Sequence, residues 1–192
     1  MTDDRDEFQT QSRSKALAMG ADPEIQRLDR ELTIVSDEHD YSYMWNWLGL
    51  PIIQMPADIV VTQEIIWQNR PQVIIETGVA RGGSVVLHAS MLQLIGEGQV
   101  VAVDIDIRPH NRAAVEEHPL AYRVTLIEGS SVEADVLDQL EAAIGDAERV
   151  MVVLDSNHTH EHVLAEIELY TRFVTPGQFM IVADTLVEDL PY

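Results

Sequence analysis

Residues 73–106 read VIIETGVARGGSVVLHASMLQLIGEGQVVAVDID, and the fold turns on how this stretch is parsed. Val73-Ile74-Ile75 is a short, continuous apolar run, as expected of a strand buried on both faces of a parallel sheet. A glycine-rich turn follows, from Glu76 through Gly78, Arg81, Gly82 and Gly83 to Ser84. A helical pattern then covers about 84–95, and a second apolar run, Val100–Val103, comes next. The alternation continues downstream. Val124–Ile127, Val150–Leu154 and Phe179–Val182 are further apolar runs, with helical patterns at about 111–118, 132–144 and 159–173 between them. Five strands alternating with four helices predict an α/β fold, a doubly wound and mostly parallel Rossmann-like sheet.

Upstream, Met55-Pro56 opens a helix, with Pro suited to the first turn and Asp58 favourable near the positive N-terminal end. It runs to about Asn69 and stops at Arg70-Pro71. Residues 41–56, YSYMWNWLGLPIIQMP, are aromatic and apolar. They are expected to line a ligand site or bury an oligomer contact, with at least one of Trp45 and Trp47 packed in the core. Residues 1–40 are polar, with short helices expected around Ser14–Met19 and Pro23–Leu32, and read as a helical arm beside a domain of 41–192. The alternation ends near Thr185, seven residues before Tyr192. Many doubly wound domains continue for two more strands, and without them the fifth strand is an exposed edge. A C-terminally truncated domain is therefore expected.

Composition narrows the function. The 192 residues hold 33 Asp+Glu against 12 Lys+Arg, a net charge of −21. Nucleic-acid phosphates and anionic membrane surfaces would repel such a chain. It has no cysteine, which excludes disulfides, thiolate zinc and a cysteine nucleophile. Lys15 is the single lysine and lies in a polar stretch, so a Schiff-base lysine is not expected. No apolar run is long enough to insert in a membrane, and the first residues carry no secretory pattern. The expectation is a soluble cytoplasmic protein.

Open α/β sheets bind ligands outside the carboxyl ends of their strands, so the residues that follow each run are the ones to inspect. The glycine spacing after the first strand, Gly78, Gly82 and Gly83, is neither G-x-G-x-x-G nor a phosphate loop. Glu76 before it disfavours a pyrophosphate and suits a ligand with an ammonium group. The competing reading is a strand–helix turn that simply needs glycines. Asp104 and Asp106 follow the second strand, where a carboxylate can accept both hydroxyls of a ribose. Glu128-Gly129-Ser130-Ser131 follows the third. It can border an adenine ring, or Ser131 can cap the next helix. Asp155 and Asp184 follow the fourth and fifth strands, and two such carboxylates suit a hard divalent cation. His158, His160 and His162 raise zinc as an alternative; the competing reading is a polar helix start capped by Thr159.

Together these residues resemble the class I S-adenosylmethionine-dependent methyltransferases, and more narrowly the cephalosporin hydroxylase / rhamnosyl O-methyltransferase family. The resemblance covers about residues 41–190 and rests on segments 47–67, 74–92, 103–112, 127–131 and 154–170. It implies S-adenosylmethionine as cofactor and methyl transfer to a hydroxyl of a sugar or natural product, so a small-molecule or glycan acceptor, within a homo-oligomer. It assigns Glu76, Gly78, Gly82, Gly83 and Ser84 to the methionine portion, Asp104 to the ribose and Gly129-Ser130 to the adenine. Asp155 would border the cofactor and ligate Mg²⁺ with an acidic pair after the fifth strand. The sequence departs there: it has Ala183-Asp184, so one carboxylate is gone, and Glu188 and Asp189 are the nearby acids.

Methyl transfer is an in-line displacement, so orientation and removal of the acceptor proton carry it. Asp155 and Asp184 would hold the cation, and His158 is the candidate base. Arg81, in the glycine loop, is expected to pair with a nearby carboxylate or, failing that, to contact cofactor or acceptor. A cephalosporin hydroxylase-like enzyme and a non-catalytic cofactor-binding module, the latter supported by Ala183, are the alternatives. A nicotinamide-dependent oxidoreductase fits the glycine spacing less well.

Overall fold

In the computed structural model, which describes residues 3–185, the chain begins with helices α1 (Arg5–Gly20) and α2 (Pro23–Asp37). Both are longer than the apolar pattern suggested. α1 buries no residue, so it leaves no apolar stripe to read; its polar helix formers and the Glu7–Gln11 side-chain hydrogen bond, one turn apart, sustain it. α2 starts cleanly, Asp22 accepting from the Glu24 N–H and Pro23 sitting at the first position. These two helices belong to one compact unit, and the described residues from 42 to 185 belong to another.

The second unit opens with a small antiparallel hairpin of β1 (Trp45–Trp47) and β2 (Leu50–Ile52). Leu48 and Gly49 turn it with positive φ. Both tryptophans are half-buried against the core, and the Trp47 indole N–H donates to Ser90 Oγ at 3.0 Å. Helix α3 (Pro56–Asn69) follows, ended by a left-handed Arg70 directly before Pro71. The core alternation is then β3 (Val73–Thr77), α4 (Gly83–Ile95), β4 (Gln99–Asp104), α5 (Pro109–Glu116), β5 (Val124–Glu128), α6 (Ala134–Ile144), β6 (Val150–Leu154), α7 (His160–Tyr170) and β7 (Met180–Val182).

All five core strands are parallel, in the order β5-β4-β3-β6-β7. β3 is central, with Ile75 opposite Val101 on one side and Val152 on the other. Every residue of β3 and β6 is buried, because helices cover both faces. The two faces sort by parity. Ile74, Val100, Ala102, Met151 and Val153 pack against Ile66, Val85 and Leu92 from α3 and α4. Ile75, Val101, Val103, Val152 and Leu154 pack against Val136, Leu137 and Leu140 of α6 and against Tyr170. The order reverses direction at β3, where β4 and β6 flank it, and the carboxyl ends of the strands around that point carry the site. No helix among the described residues is long and apolar enough to cross a membrane.

Two expected local details change. α6 begins at Ala134 with Glu133 at the cap position and no side-chain cap, so Ser131 does not cap it; its hydroxyl turns toward His162 instead. Thr159 does occupy the cap position of α7, but it is the Asn157 side chain that accepts from the Thr159 N–H, at 3.0 Å.

Candidate functional site

The turn from β3 to α4 is a tight loop held from below. Gly78, Ala80 and Gly82 all have positive φ. A Cβ on Gly78 would lie 1.9 Å from the Asp155 carbonyl oxygen, and one on Gly83 would lie 2.2 Å from that of Pro51. These glycines therefore let backbone approach backbone, which places the β6 end against the loop and the start of α4 against the β1–β2 hairpin. Asp104, at the end of β4, fastens the loop: its Oδ2 accepts from the Val79 and Ala80 N–H groups at 2.8 and 3.1 Å, and its Oδ1 from Asp106 N–H at 3.1 Å. Asn111 donates to the Ala80 carbonyl at 2.6 Å.

Two adjoining cavities open over this loop. One, of about 220 Å³, is bordered by Asp104, Ile105, Ser130, Ser131, Asn157 and His162. The other, of about 210 Å³, is bordered by Tyr43, Arg81, Gly83, Ser84, His158 and Asp184. Gly78, Ala80, Asp155 and Ser156 line both, so the two share one wall. The uncapped N-terminus of α4, at Gly83 and Ser84, borders the second and favours a negative group there. Gly129, expected beside the adenine, lines neither cavity; its N–H donates to the Asp104 carbonyl at 2.9 Å.

Glu76 is not at the surface of either cavity. It is fully buried, accepting from the Ser84 hydroxyl and facing His88 Nδ1 at 2.7 Å. An ammonium group in the cavity would meet the Ser84 oxygen first, with the Glu76 charge behind it. Arg81 is exposed at the cavity wall and makes no ion pair among the described residues. The structural pairing expected for it is absent among the described residues, and Asp104, at the end of β4, accepts from the Val79 and Ala80 N–H groups instead.

Asp155, His158 and Asp184 converge. Each offers one ligand atom, and these atoms lie within 4.8 Å of one another. His158 Nε2 is 3.2 Å from Asp184 Oδ2. The Asp155 carboxyl is pushed up to about 8, chiefly by burial and then by the charges of Asp184 and Glu76, with Gln54 at 3.5 Å opposing. Glu188 and Asp189, the other acids considered for this site, lie outside the described residues. His160 is exposed at the start of α7 and does not join the cluster. His162 faces a separate network: its Nε2 lies 3.2 Å from Ser131 Oγ, 3.3 Å from Ser156 Oγ and 3.4 Å from the buried Glu166, which accepts from Ser156 at 2.8 Å.

Four of these residues carried no sequence signal that was used. His88 could have been found, since it follows Ser84 by four positions on a helix and so shares its face. Glu166 likewise follows His162 by four. Gln54 and Ser156 offered no pattern.

A family model described as Rhamnosyl O-methyltransferase/CmcI matches residues 39–192. The rhamnosyl O-methyltransferase of Mycobacterium leprae (strain TN) is 27% identical over 167 residues, covering 83% of this chain and 71% of that protein. Among solved structures, CmcI in its Mg-SAM form superposes with a TM-score of 0.57 at 19% identity, over 75% of this chain and 59% of that one. An O-methyltransferase from Bacillus cereus in complex with SAH gives 0.56 at 18% identity, over 83% and 68%. The chain thus spans less than two thirds of that CmcI chain.

Proposed function

The chain belongs to the Rhamnosyl O-methyltransferase/CmcI family, and from that membership we propose that it moves a methyl group from S-adenosylmethionine to a hydroxyl of a sugar or natural-product acceptor, with a divalent cation assisting. The observation that carries this reading is the pair of adjoining cavities, one bordered by Asp104 and the other by the Asp155–His158–Asp184 cluster.

In this reading Asp104, Ile105 and Ser130 would hold the adenosine, and Asp104 would use the lone pairs left free by its loop N–H bonds for the ribose. Gly78, Arg81 and Ser84 would hold the methionyl end. Its carboxylate is drawn by the α4 N-terminus, and its ammonium by Ser84 with Glu76 behind. The acceptor occupies the cavity beside Tyr43, His158 and Asp184.

The donor set fits a cation: two carboxylates and an imidazole converge, and the buried Gln54 Oε1 beside Asp155 has no hydrogen-bond partner among the described residues. Asp155 and Asp184 would hold it, and when bound it supplies Lewis-acid polarisation of the acceptor hydroxyl. The protein's remaining task is to orient the hydroxyl in line with the sulfonium and to exclude water.

Calorimetry with S-adenosylhomocysteine tests the cofactor assignment: one site per chain is expected, and no binding refutes it. Ala183 favours a second reading, a cofactor-binding module without turnover. That reading predicts S-adenosylhomocysteine binding with neither cation binding nor methylation of any hydroxyl acceptor.

A further inference from the structure

We infer that His158 is the third protein ligand of the cation site, so that this chain takes a divalent transition ion such as Mn²⁺, Fe²⁺ or Co²⁺ in preference to Mg²⁺. This rests on the proposed cation-assisted reading and sharpens it: the ligand set changes, and with it the ion.

The geometry points away from a base and toward a ligand. A general base needs a free lone pair aimed at the acceptor. His158 Nε2 is instead turned to Asp184 Oδ2 at 3.2 Å. The contact brings this nitrogen and the Asp184 carboxylate to one point at the cavity edge. The Asp155 carboxylate completes the triangle, all three ligand atoms lying within 4.8 Å of one another. Ligand atoms of one metal centre stand about 3–4.5 Å apart when each bond is near 2.1 Å. Side-chain rotations of a few tenths of an ångström bring this set around one ion.

The residue at 183 gives the reason for the exchange. Ala183 donates its backbone N–H to the Leu154 carbonyl at 2.9 Å, so its position beside Asp184 is fixed and it brings no ligand atom. The site then holds one nitrogen and two carboxylate ligands. Mg²⁺ favours all-oxygen sets and binds imidazole poorly, while Mn²⁺, Fe²⁺ and Co²⁺ accept mixed nitrogen and oxygen donors. Gln54 adds a neutral oxygen beside Asp155, buried and without a donor.

The test uses the full chain stripped with EDTA. Mn²⁺ and Mg²⁺ are titrated by calorimetry, with and without S-adenosylhomocysteine, and the Mn²⁺ form is examined by electron spin echo spectroscopy. Expected are Mn²⁺ affinity at least about tenfold above that for Mg²⁺ and modulation from one imidazole ¹⁴N. His158→Gln should remove the ¹⁴N signal and reduce the Mn²⁺-over-Mg²⁺ ratio about tenfold. Adding Ala183→Glu to that variant should restore Mg²⁺ binding. Bound Mn²⁺ without ¹⁴N coupling in the wild-type chain overturns His158 as ligand. S-Adenosylhomocysteine binding with no binding of either ion overturns the cation site and leaves the cofactor reading standing. Failure of both overturns the function on which the inference is built.

Discussion

Asp155→Asn should make the cation-free protein more stable, and increasingly so as the pH rises. The carboxyl is pushed up to about 8 from 3.8, first by burial and then by Asp184 and Glu76. Between those two values the folded state holds a proton that the unfolded chain has released. Raising the pH through this window therefore favours the unfolded state, and the loss is complete only above the folded value. Each pH unit is worth about 1.4 kcal/mol, so the upper bound at pH 7 is about 4 kcal/mol. Water in the open cavity screens the charge and lowers this to about 2–3 kcal/mol. Asparagine keeps the shape and removes the titration. It gives up little, because the side-chain hydrogen bond lost is the long one from Gln54 Nε2 at 3.5 Å. The Asp155 N–H still donates to the Thr77 carbonyl at 3.0 Å. Urea denaturation in EDTA at pH 5 and pH 8 is the assay. The expected gain is about 2–3 kcal/mol at pH 8 and under about 1 kcal/mol at pH 5. A variant less stable than wild type at pH 8, or an equal difference at both pH values, refutes the reasoning.

Three further outcomes follow from the geometry. Asp104→Ala frees the Val79 and Ala80 N–H groups; it should weaken S-adenosylhomocysteine binding about tenfold or more and cost about 2 kcal/mol of stability, read by calorimetry and denaturation. Gly83→Ala drives a Cβ to 2.2 Å from the Pro51 carbonyl oxygen and should cost about 2–3 kcal/mol, seen as a lowered denaturation midpoint. Tyr170 donates to the Ser131 carbonyl at 2.9 Å, and burial followed by Glu166 raises its pKa. The folded state then keeps a proton that the unfolded chain loses above about pH 10, so stability falls as the pH rises beyond that value. Tyr170→Phe should cost about 1 kcal/mol at pH 7 and flatten the alkaline limb of the stability curve.

The sheet was legible because its strands advertise themselves. Val150–Leu154 is a five-residue apolar run whose every side chain is buried, and Pro71, Gly96 and Gly145 punctuate the elements around the runs. α3 was readable to the residue from Pro56 and Arg70-Pro71. The β1–β2 hairpin was not. Three-residue strands carry too little alternation to declare a period, and WNWLGLPI reads equally as a packed loop. Its role emerges only from Gly83, whose missing side chain lets the hairpin backbone touch α4.

The site was legible in position more than in role. Asp104, Asp155 and Asp184 all stand where strands end, and that follows from topology alone. What each carboxylate does depends on neighbours distant in sequence. Glu76 is turned inward because His88 and Ser84 meet it from α4, and Asp104 is drawn to the loop because left-handed residues present two N–H groups to one oxygen. Arg81 was expected to pair with a nearby carboxylate, and it instead stands exposed at the cavity wall without an ion pair among the described residues.

The four strand-end acids differ in how their charge is met, and the difference locates the chemistry. Asp104 accepts three backbone N–H groups. Glu76 has a hydroxyl and an imidazole against it in the core. Asp155 has one long contact from an amide and a second carboxylate close enough to raise its pKa, while Asp184 has His158 and open solvent. A protein with a net charge of −21 gains nothing for stability by leaving two acids facing each other at the edge of a cavity. Such an arrangement persists where strain in the resting state is relieved on binding, and relief here takes positive charge. The sulfonium of the proposed cofactor and a cation between Asp155 and Asp184 are both of that sign. Asp155 lines both cavities, so the charge pattern joins them into one site: a cation between Asp155 and Asp184 would neutralise the carboxylate that also faces the sulfonium, and S-adenosylmethionine should bind more weakly with the cation than without it, equal affinity in calorimetry refuting the coupling.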